Sequence, residues 1–238
     1  LTGAGLSTSS GIPDFRSPQS GMWTRGEPRE VASFREFQKR PEVFFAWFRP
    51  LARLILDAAP NAAHHALADL ERSGYLSSVT TQNIDLLHTR AGSRVVYEVH
   101  GHIREATCML CRRKFPGTPI MEELAAEGRV PYCSKCGGVL KPGVVLFEEI
   151  LPPAVILASQ QAACNCDLML VAGTSLEVYP VADLPALTVR NGGLLIIVNF
   201  EPTYLDKSAE VLIHGDVEEV LPAIAAEVLG TPGQRRSA

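Results

Sequence analysis

"LTGAGLSTSSGIPDFR", Leu1 to Arg16, decides how the rest of the chain is read. Gly3 and Gly5 flank Ala4, and a turn without β-carbons lets the backbone come close to a pyrophosphate, with Ser7 as an added hydroxyl donor. A hydride-transferring dinucleotide fold needs G-x-G-x-x-G running at once into a helix. Here the third glycine is missing, and a loop brings Asp14, Phe15 and Arg16 instead. In a loop over a dinucleotide, the aromatic can cover the reacting ribose while the acid and the cation hold neighbouring groups. The glycine turn alone leaves a purely steric role open. Its continuation turns the reading toward a cofactor that is not used as a hydride carrier.

Downstream, "LSSVTTQN", "RVVYEVHG", "DLMLVAGTS" and "LLIIVNF" are strand-length apolar runs that end in small or polar residues. Their continuous apolarity implies strands covered on both faces, as in a parallel sheet. A helical run between the last two stops at a glycine pair, and Asp216 caps a final helix with a stripe of Val217, Val220, Leu221, Ile224 and Val228. The expectation is a doubly wound, Rossmann-like α/β domain with working loops at the carboxyl ends of its strands. Two segments break the alternation. Glu27 to Pro60 is aromatic and Arg-rich and reads as short helices interrupted at Pro41, and Thr107 to Leu140 holds four of the six cysteines. Both read as insertions that pack together as a smaller module.

Those four are two C-x2-C pairs, Cys108 with Cys111 and Cys133 with Cys136, separated by twenty-one residues. Four thiolates at this spacing close a tetrahedral zinc site with no open position, so the metal is expected to be structural. Cys164 and Cys166 read as buried structural thiols. At strand ends, Gln82, Asn83 and Asp85 suit an amide and ribose hydroxyls, although such residues are also common caps. His100 ends a strand just before a glycine and is a general-base candidate. The other five histidines are assigned structural roles.

The charge of −4 gives no broad attraction to nucleic acid, and basic and aromatic residues do not interleave around the cysteines. No apolar run reaches the roughly 18 residues of a membrane span. The missing third glycine speaks against a Rossmann dehydrogenase. The start at Leu1 suggests that a strand feeding the glycine turn precedes the sequence given.

Taken in order, "GAGLSTSSGIPDFR", "TQNIDLLH", "HG", the two C-x2-C pairs, "KPGVVLFEE", "GTSLEVYPVA" and "VNFEPT" resemble the sirtuin family of NAD-dependent protein lysine deacylases, most closely in its prokaryotic pattern. The resemblance implies a Rossmann-like NAD-binding domain from 1–26, 61–106 and 141–238, with a small domain made of a helical module, 27–60, and a zinc-binding module, 107–140. It implies that Gly3, Ala4, Gly5, Asp14, Phe15, Arg16 and Gln82 hold NAD. Asn83 and Asp85 would serve the nicotinamide side, where nicotinamide is cleaved off rather than reduced. Gly173, Thr174 and Ser175 would contact phosphate and ribose, and Asn199, Glu201, Asp216 and Val217 would surround the adenosine half. His100 would be the general base on the ribose hydroxyls, with acyl-ADP-ribose and free lysine as products. Val144, Val145, Leu146 and Phe147 would form the wall for an acyl-lysine peptide added as a strand.

Two departures from the family pattern stand out. Glu148 stands where the family usually has Gly, and its carboxylate is expected to be solvated rather than to select basic substrates. The family members that prefer succinyl or malonyl lysine resemble one another in a Tyr-x2-Arg pair, where this chain has Phe48 and Leu51, with Arg49 adjacent. Acetyl or longer neutral acyl groups are therefore expected. A cytoplasmic monomer that binds neither nucleic acid nor membrane is expected. Mono-ADP-ribosyl transfer and a non-catalytic NAD-responsive module are the competing readings.

Overall fold

The computed structural model describes residues 1–14 and 28–230, and for Pro28 and Arg29 the backbone alone. A 3-10 helix, Ala4–Ser10, is followed by α1 (Pro28–Val31), α2 (Phe34–Lys39), α3 (Pro41–Asp57), α4 (Ala62–Arg72), β1 (Val79–Thr81), α5 (Leu87–Ala91), β2 (Val96–Glu98) and β3 (Gly101–Cys108). Then come β4 (Lys114–Pro116), α6 (Gly117–Glu127), β5 (Leu140–Val144), α7 (Pro153–Asn165), β6 (Leu168–Ala172), α8 (Leu184–Arg190), β7 (Leu194–Val198), β8 (Val211–Ile213) and α9 (Val217–Leu229).

Thr2 joins the parallel ladders into one sheet, because it bridges in parallel to Thr81 on one side and to Ala172 on the other. The order is then β2, β1, the Thr2 segment, β6, β7, β8, all parallel. The chain builds outward first to one side of Thr2 and later to the other, so the strand order reverses between Thr2 and β6. In such sheets ligands bind outside the carboxyl ends of the strands at this reversal. Successive side chains of a strand point to opposite faces. Leu195 and Ile197 of β7 therefore face α7 and α8, in a core with Ala163 and Leu184. Val198 faces the other way, toward Ala63 and Leu67 of α4 and Leu221 and Ala225 of α9. Asp216 caps α9 as expected, accepting from Glu218 N–H at 2.8 Å. Val228 falls off the buried stripe and is 42% exposed.

The second sheet is antiparallel, in the order β4, β3, β5. It runs from Gly101 to Val144 and so extends past 107–140 at both ends. The sequence reading missed this sheet and α6, whose buried Met121 and Leu124 pack with Ile103 of β3 against Phe37, Phe44, Phe45, Phe48 and Ile55 of α2 and α3. Phe44 meets Phe37 and Phe45 edge-on at 5.1 and 5.2 Å and stacks on Phe48 at 5.3 Å. Pro41 is the first residue of a 17-residue helix. An expected break is thus a start, because proline at the first helical position gives up no hydrogen bond and arrives with helical φ. Cys164 and Cys166 are half-buried rather than buried.

Candidate active site

The loops at the strand-order reversal touch closely. Gly173 has φ +61°, and a β-carbon there would lie 2.5 Å from Leu6 N and 2.7 Å from Gly5 C. A β-carbon on Gly3 would lie 2.7 Å from Thr174 Cβ. These glycines therefore let the first loop and the loop after β6 pack backbone to backbone, which adds a steric reason to the one read from the sequence.

Around them lie two sets of hydrogen-bonded polar side chains. Gln82 Nε2 donates to Thr174 Oγ1 at 2.9 Å. Asn83 Nδ2 donates to Gly3 O and to Ser7 Oγ, both at 3.0 Å. Ser7 Oγ donates in turn to Asp85 Oδ2 at 2.7 Å, and Asp85 Oδ1 accepts from Leu87 N–H at 2.9 Å. Burial pushes the Asp85 carboxyl above its ordinary pKa, while the Leu87 amide and Ser7 hydroxyl pull it back. Asp85 thus holds Ser7, which orients Asn83.

His100 sits in the turn from β2 into β3. Its Nδ1 lies 3.0 Å from Gln82 O. A carbonyl only accepts, so Nδ1 carries the proton and Nε2 is the basic atom of the neutral ring. Burial lowers the imidazole pKa, and the Gln82 carbonyl partly offsets this, so the ring is neutral and ready to accept a proton at pH 7. Gly101 follows with φ +75°, and any β-carbon there would overlap the Gly143 carbonyl oxygen. This glycine turns the chain from His100 into the second sheet.

Val145 N–H donates to His100 O at 2.8 Å, so the apolar segment after β5 is tied to the histidine's own backbone. Val144, Val145, Leu146 and Phe147 line one cavity of about 1190 Å³ together with Gly3, Ala4, Gly5, Asp14, Gln82, Asn83, Asp85, His100, Gly173, Thr174, Ser175, Asn199, Glu201 and Val217. Asp216 does not line it. Asn199 is held by its Nδ2 donating to Glu201 O at 2.7 Å. Phe15 and Arg16 lie outside the described residues.

The cavity continues along α3, where Phe44, Trp47, Phe48, Leu51 and Ile55 form an apolar flank, and its mouth carries Tyr179 and Phe200. Phe44, Trp47, Ile55, Tyr179 and Phe200 were missed from sequence. The α3 residues repeat at helical spacing, a signal that marks a buried face without saying what it faces. Arg49, adjacent to the expected acyl position, is turned away. Its Nε and Nη2 donate to Ala125 O and Ala126 O at 3.2 and 2.9 Å, and Arg53 Nη2 reaches Ala125 O at 2.8 Å. Both arginines cap the end of α6.

At the far end of the second sheet, the Sγ atoms of Cys108, Cys111, Cys133 and Cys136 lie within 4.8 Å of one another. Cys108 and Cys136 are 3.4 Å apart, and Cys111 and Cys133 are 3.8 Å apart. A tetrahedral zinc with Zn–S of about 2.3 Å needs sulfurs about 3.8 Å apart. The four thiols fit one such ion.

The Sir2 family model matches residues 3–180. An NAD-dependent protein deacetylase of Sulfolobus acidocaldarius is 43% identical over 228 residues, 96% of this chain and 88% of that protein. An NAD-dependent protein deacylase of Archaeoglobus fulgidus is 43% identical over 229 residues, 96% and 89%. A solved structure of a Sir2 variant with deacetylated p53 peptide and 3′-O-acetyl ADP ribose superposes with a TM-score of 0.89 at 39% identity, covering 97% of this chain and 92% of that one. The chain belongs to the Sir2 family.

Proposed function

We propose that this chain is an NAD-dependent protein lysine deacylase that removes acyl groups from lysine side chains and transfers them to ADP-ribose. The observation that carries this is a single cavity joining three features: the loops at the strand-order reversal, a neutral, half-buried His100, and an apolar flank along α3. Similarity to a Sir2 enzyme whose structure holds a deacetylated peptide and 3′-O-acetyl ADP ribose supports the same pair of products here.

NAD, when bound, supplies a ribosyl carbon that becomes electrophilic as nicotinamide departs. The protein's own part is to orient, to keep water out and to move a proton. Gly3, Ala4, Gly5, Gly173, Thr174 and Ser175 would hold the phosphates and the nearby ribose, with Asp14, Phe15, Arg16 and Gln82 around the nicotinamide ribose. Asn83, oriented by Ser7 and Asp85, would face the nicotinamide side. His100 Nε2 would take the proton of a ribose hydroxyl. The adenosine half would lie by Asn199, Glu201 and Val217, with Asp216 setting the start of α9 behind them. The acyl-lysine would enter between the Val144–Phe147 wall and the segment after Asn199, with its acyl group along Phe48 and Leu51.

No cation among the described residues lines this cavity, which favours acetyl or longer neutral acyl groups. The four cysteines would hold one structural zinc far from the chemistry. The domain division stated from the sequence belongs to the same reading, with the helical and cysteine-bearing modules as the small domain. So does a cytoplasmic monomer that binds neither nucleic acid nor membrane. Among the described residues no helix is long and apolar enough to cross a membrane.

The test is mass spectrometry of acetyl- and succinyl-lysine peptides incubated with the protein, with and without NAD. NAD-dependent loss of acetyl with matching acetyl-ADP-ribose is the expected result. ADP-ribose attached to protein with the acyl-lysine untouched would replace the reading with mono-ADP-ribosyl transfer. Robust desuccinylation with weak deacetylation would overturn the neutral-acyl assignment.

A further inference from the structure

Glu148 directly follows the apolar wall of the cleft, and its backbone is left-handed, with φ +72°. Side chains with a β-carbon avoid this region, so the surroundings must hold the residue there. Phe147, one position earlier, is paired with the segment before α2. Its N–H donates to Ala32 O at 3.0 Å, and its C=O accepts from Phe34 N–H at 2.9 Å. Glu148 continues this pairing through its side chain: Oε2 accepts from Arg35 N–H at 3.3 Å, and Oε1 lies 3.7 Å from the Arg35 guanidinium. The next donor, Glu36 N–H, goes to Ser33 Oγ at 3.2 Å.

A helix leaves the first amides of its first turn without partners of its own. In α2, three successive ones are satisfied, two of them by the cleft wall. Glu148 and Arg35 meet at the surface, whereas the other acid of the pair is more enclosed. Glu149 accepts from Lys141 Nζ and from Leu146 N–H, both at 2.8 Å. Neither carboxylate of "EE" is therefore left as an uncompensated charge facing the groove, although both residues line the cavity.

We propose that Glu148 is a positioning residue for the acyl-lysine substrate. It latches the start of α2 to the Val144–Phe147 wall and thereby sets the groove between wall and helical module, and it does not read charge on the peptide. The inference rests on the deacylase reading. It explains why a residue with a side chain occupies a backbone position suited to glycine: the side chain supplies the cap that a glycine would lack.

The test compares the full chain with Glu148→Gln, which keeps the acceptor and drops the charge, and Glu148→Gly, which suits the backbone and drops the acceptor. Steady-state kinetics would use acetyl-lysine peptides with neutral and with basic flanks, and hydrogen exchange would follow the amides of residues 34–36. Glu148→Gln should stay within about twofold of the parent on both peptides, while Glu148→Gly raises the peptide KM about five- to tenfold on both, as loss of one hydrogen bond to a charged acceptor predicts. KM for NAD and kcat should hold, and the 34–36 amides should exchange faster in the Gly variant alone.

A selective loss on basic peptides in Glu148→Gln would overturn the proposal in favour of charge reading. An unchanged KM and unchanged exchange in Glu148→Gly would overturn the latch itself. If the parent deacylates nothing, the deacylase reading falls, and the exchange data still decide whether the latch exists.

Discussion

The two sides of the cleft are held in different ways. On the sheet side, Asn83, Ser7 and Asp85 form a chain of hydrogen bonds, and Gln82 bonds to Thr174 beside it. On the α3 side, Phe44, Phe48, Leu51 and Ile55 are held by packing against α6 and β3, where shape and volume matter more than atom-by-atom partners. A polar network fails when one member is removed, because the remaining groups stay buried and unpaired. An apolar flank tolerates exchange at constant volume. On the proposed function, the polar side would fix where NAD's reactive end is held, and the apolar side would be where acyl preference can vary.

The largest effect should come from a third region on which both sides depend. β3 begins beside His100 and ends at Cys108, while β5 begins shortly after Cys136 and ends at Val144. Withdrawing the metal with a chelator, or Cys108→Ser, should loosen both strands at their cysteine ends. We expect a lower melting temperature and more than about tenfold loss of deacylation, since metal binding at such sites is folding free energy. Unchanged melting and activity after verified metal loss would make the cysteines dispensable.

The polar and apolar sides can be set against each other directly. Asp85→Ala leaves Ser7 Oγ and Leu87 N–H without their partner and should cost about 2–4 kcal/mol in denaturant unfolding, with a raised KM for NAD. Leu51→Met, which conserves volume, should cost under about 1.5 kcal/mol and leave the NAD KM alone. Equal costs would erase the distinction between the two sides.

A pH-dependent effect concerns His64 and His88, buried rings 5.0 Å apart beneath the first loop. His88 Nε2 bonds to Thr2 Oγ1 at 2.8 Å, and His64 Nδ1 to Asn61 Oδ1 at 2.8 Å. Burial lowers their pKa values from 6.5 to about 4 for His64 and about 3 for His88. Because the folded values lie below the unfolded one, their stabilising contribution is complete above pH 6.5 and is lost as pH falls through 6.5 toward 4 and 3. Unfolding midpoints at pH 7.5, 5.5 and 4.5 should fall in that order, by on the order of 3 kcal/mol in total for His64 alone once the pH is well below 4. Midpoints that hold constant down to pH 4.5 would show that the rings do not stay neutral in the fold.

How much of this was legible in the sequence follows the same division. "GAGLS" and "TQNID" were ambiguous singly, and they and "GTS" became legible only as an ordered set, because their side-chain bonds join loops far apart in sequence. The cysteine spacing was legible by itself, because a tetrahedral metal needs only two knuckles. The second sheet was hidden, because β4 has three residues and β3 and β5 pair across an insertion, where periodicity carries little signal. The α3 stripe repeats at helical spacing, but the reading of short helices broken at Pro41 passed over it, and what it faces depends on α6 and on the wall after β5, far away in sequence. Glu148 was legible only as an anomaly. Its meaning required the backbone angle and the Arg35 amide.

The account depends most on His100 as the base that acts after nicotinamide has left. The direct measurement is a His100→Ala variant given acetyl-lysine peptide, NAD and labelled nicotinamide, with label exchange into NAD and deacetylated peptide both followed by mass spectrometry. The account predicts that exchange continues while deacetylation falls by about a hundredfold or more, the range expected for removing a general base. Deacetylation at the parent rate would contradict it.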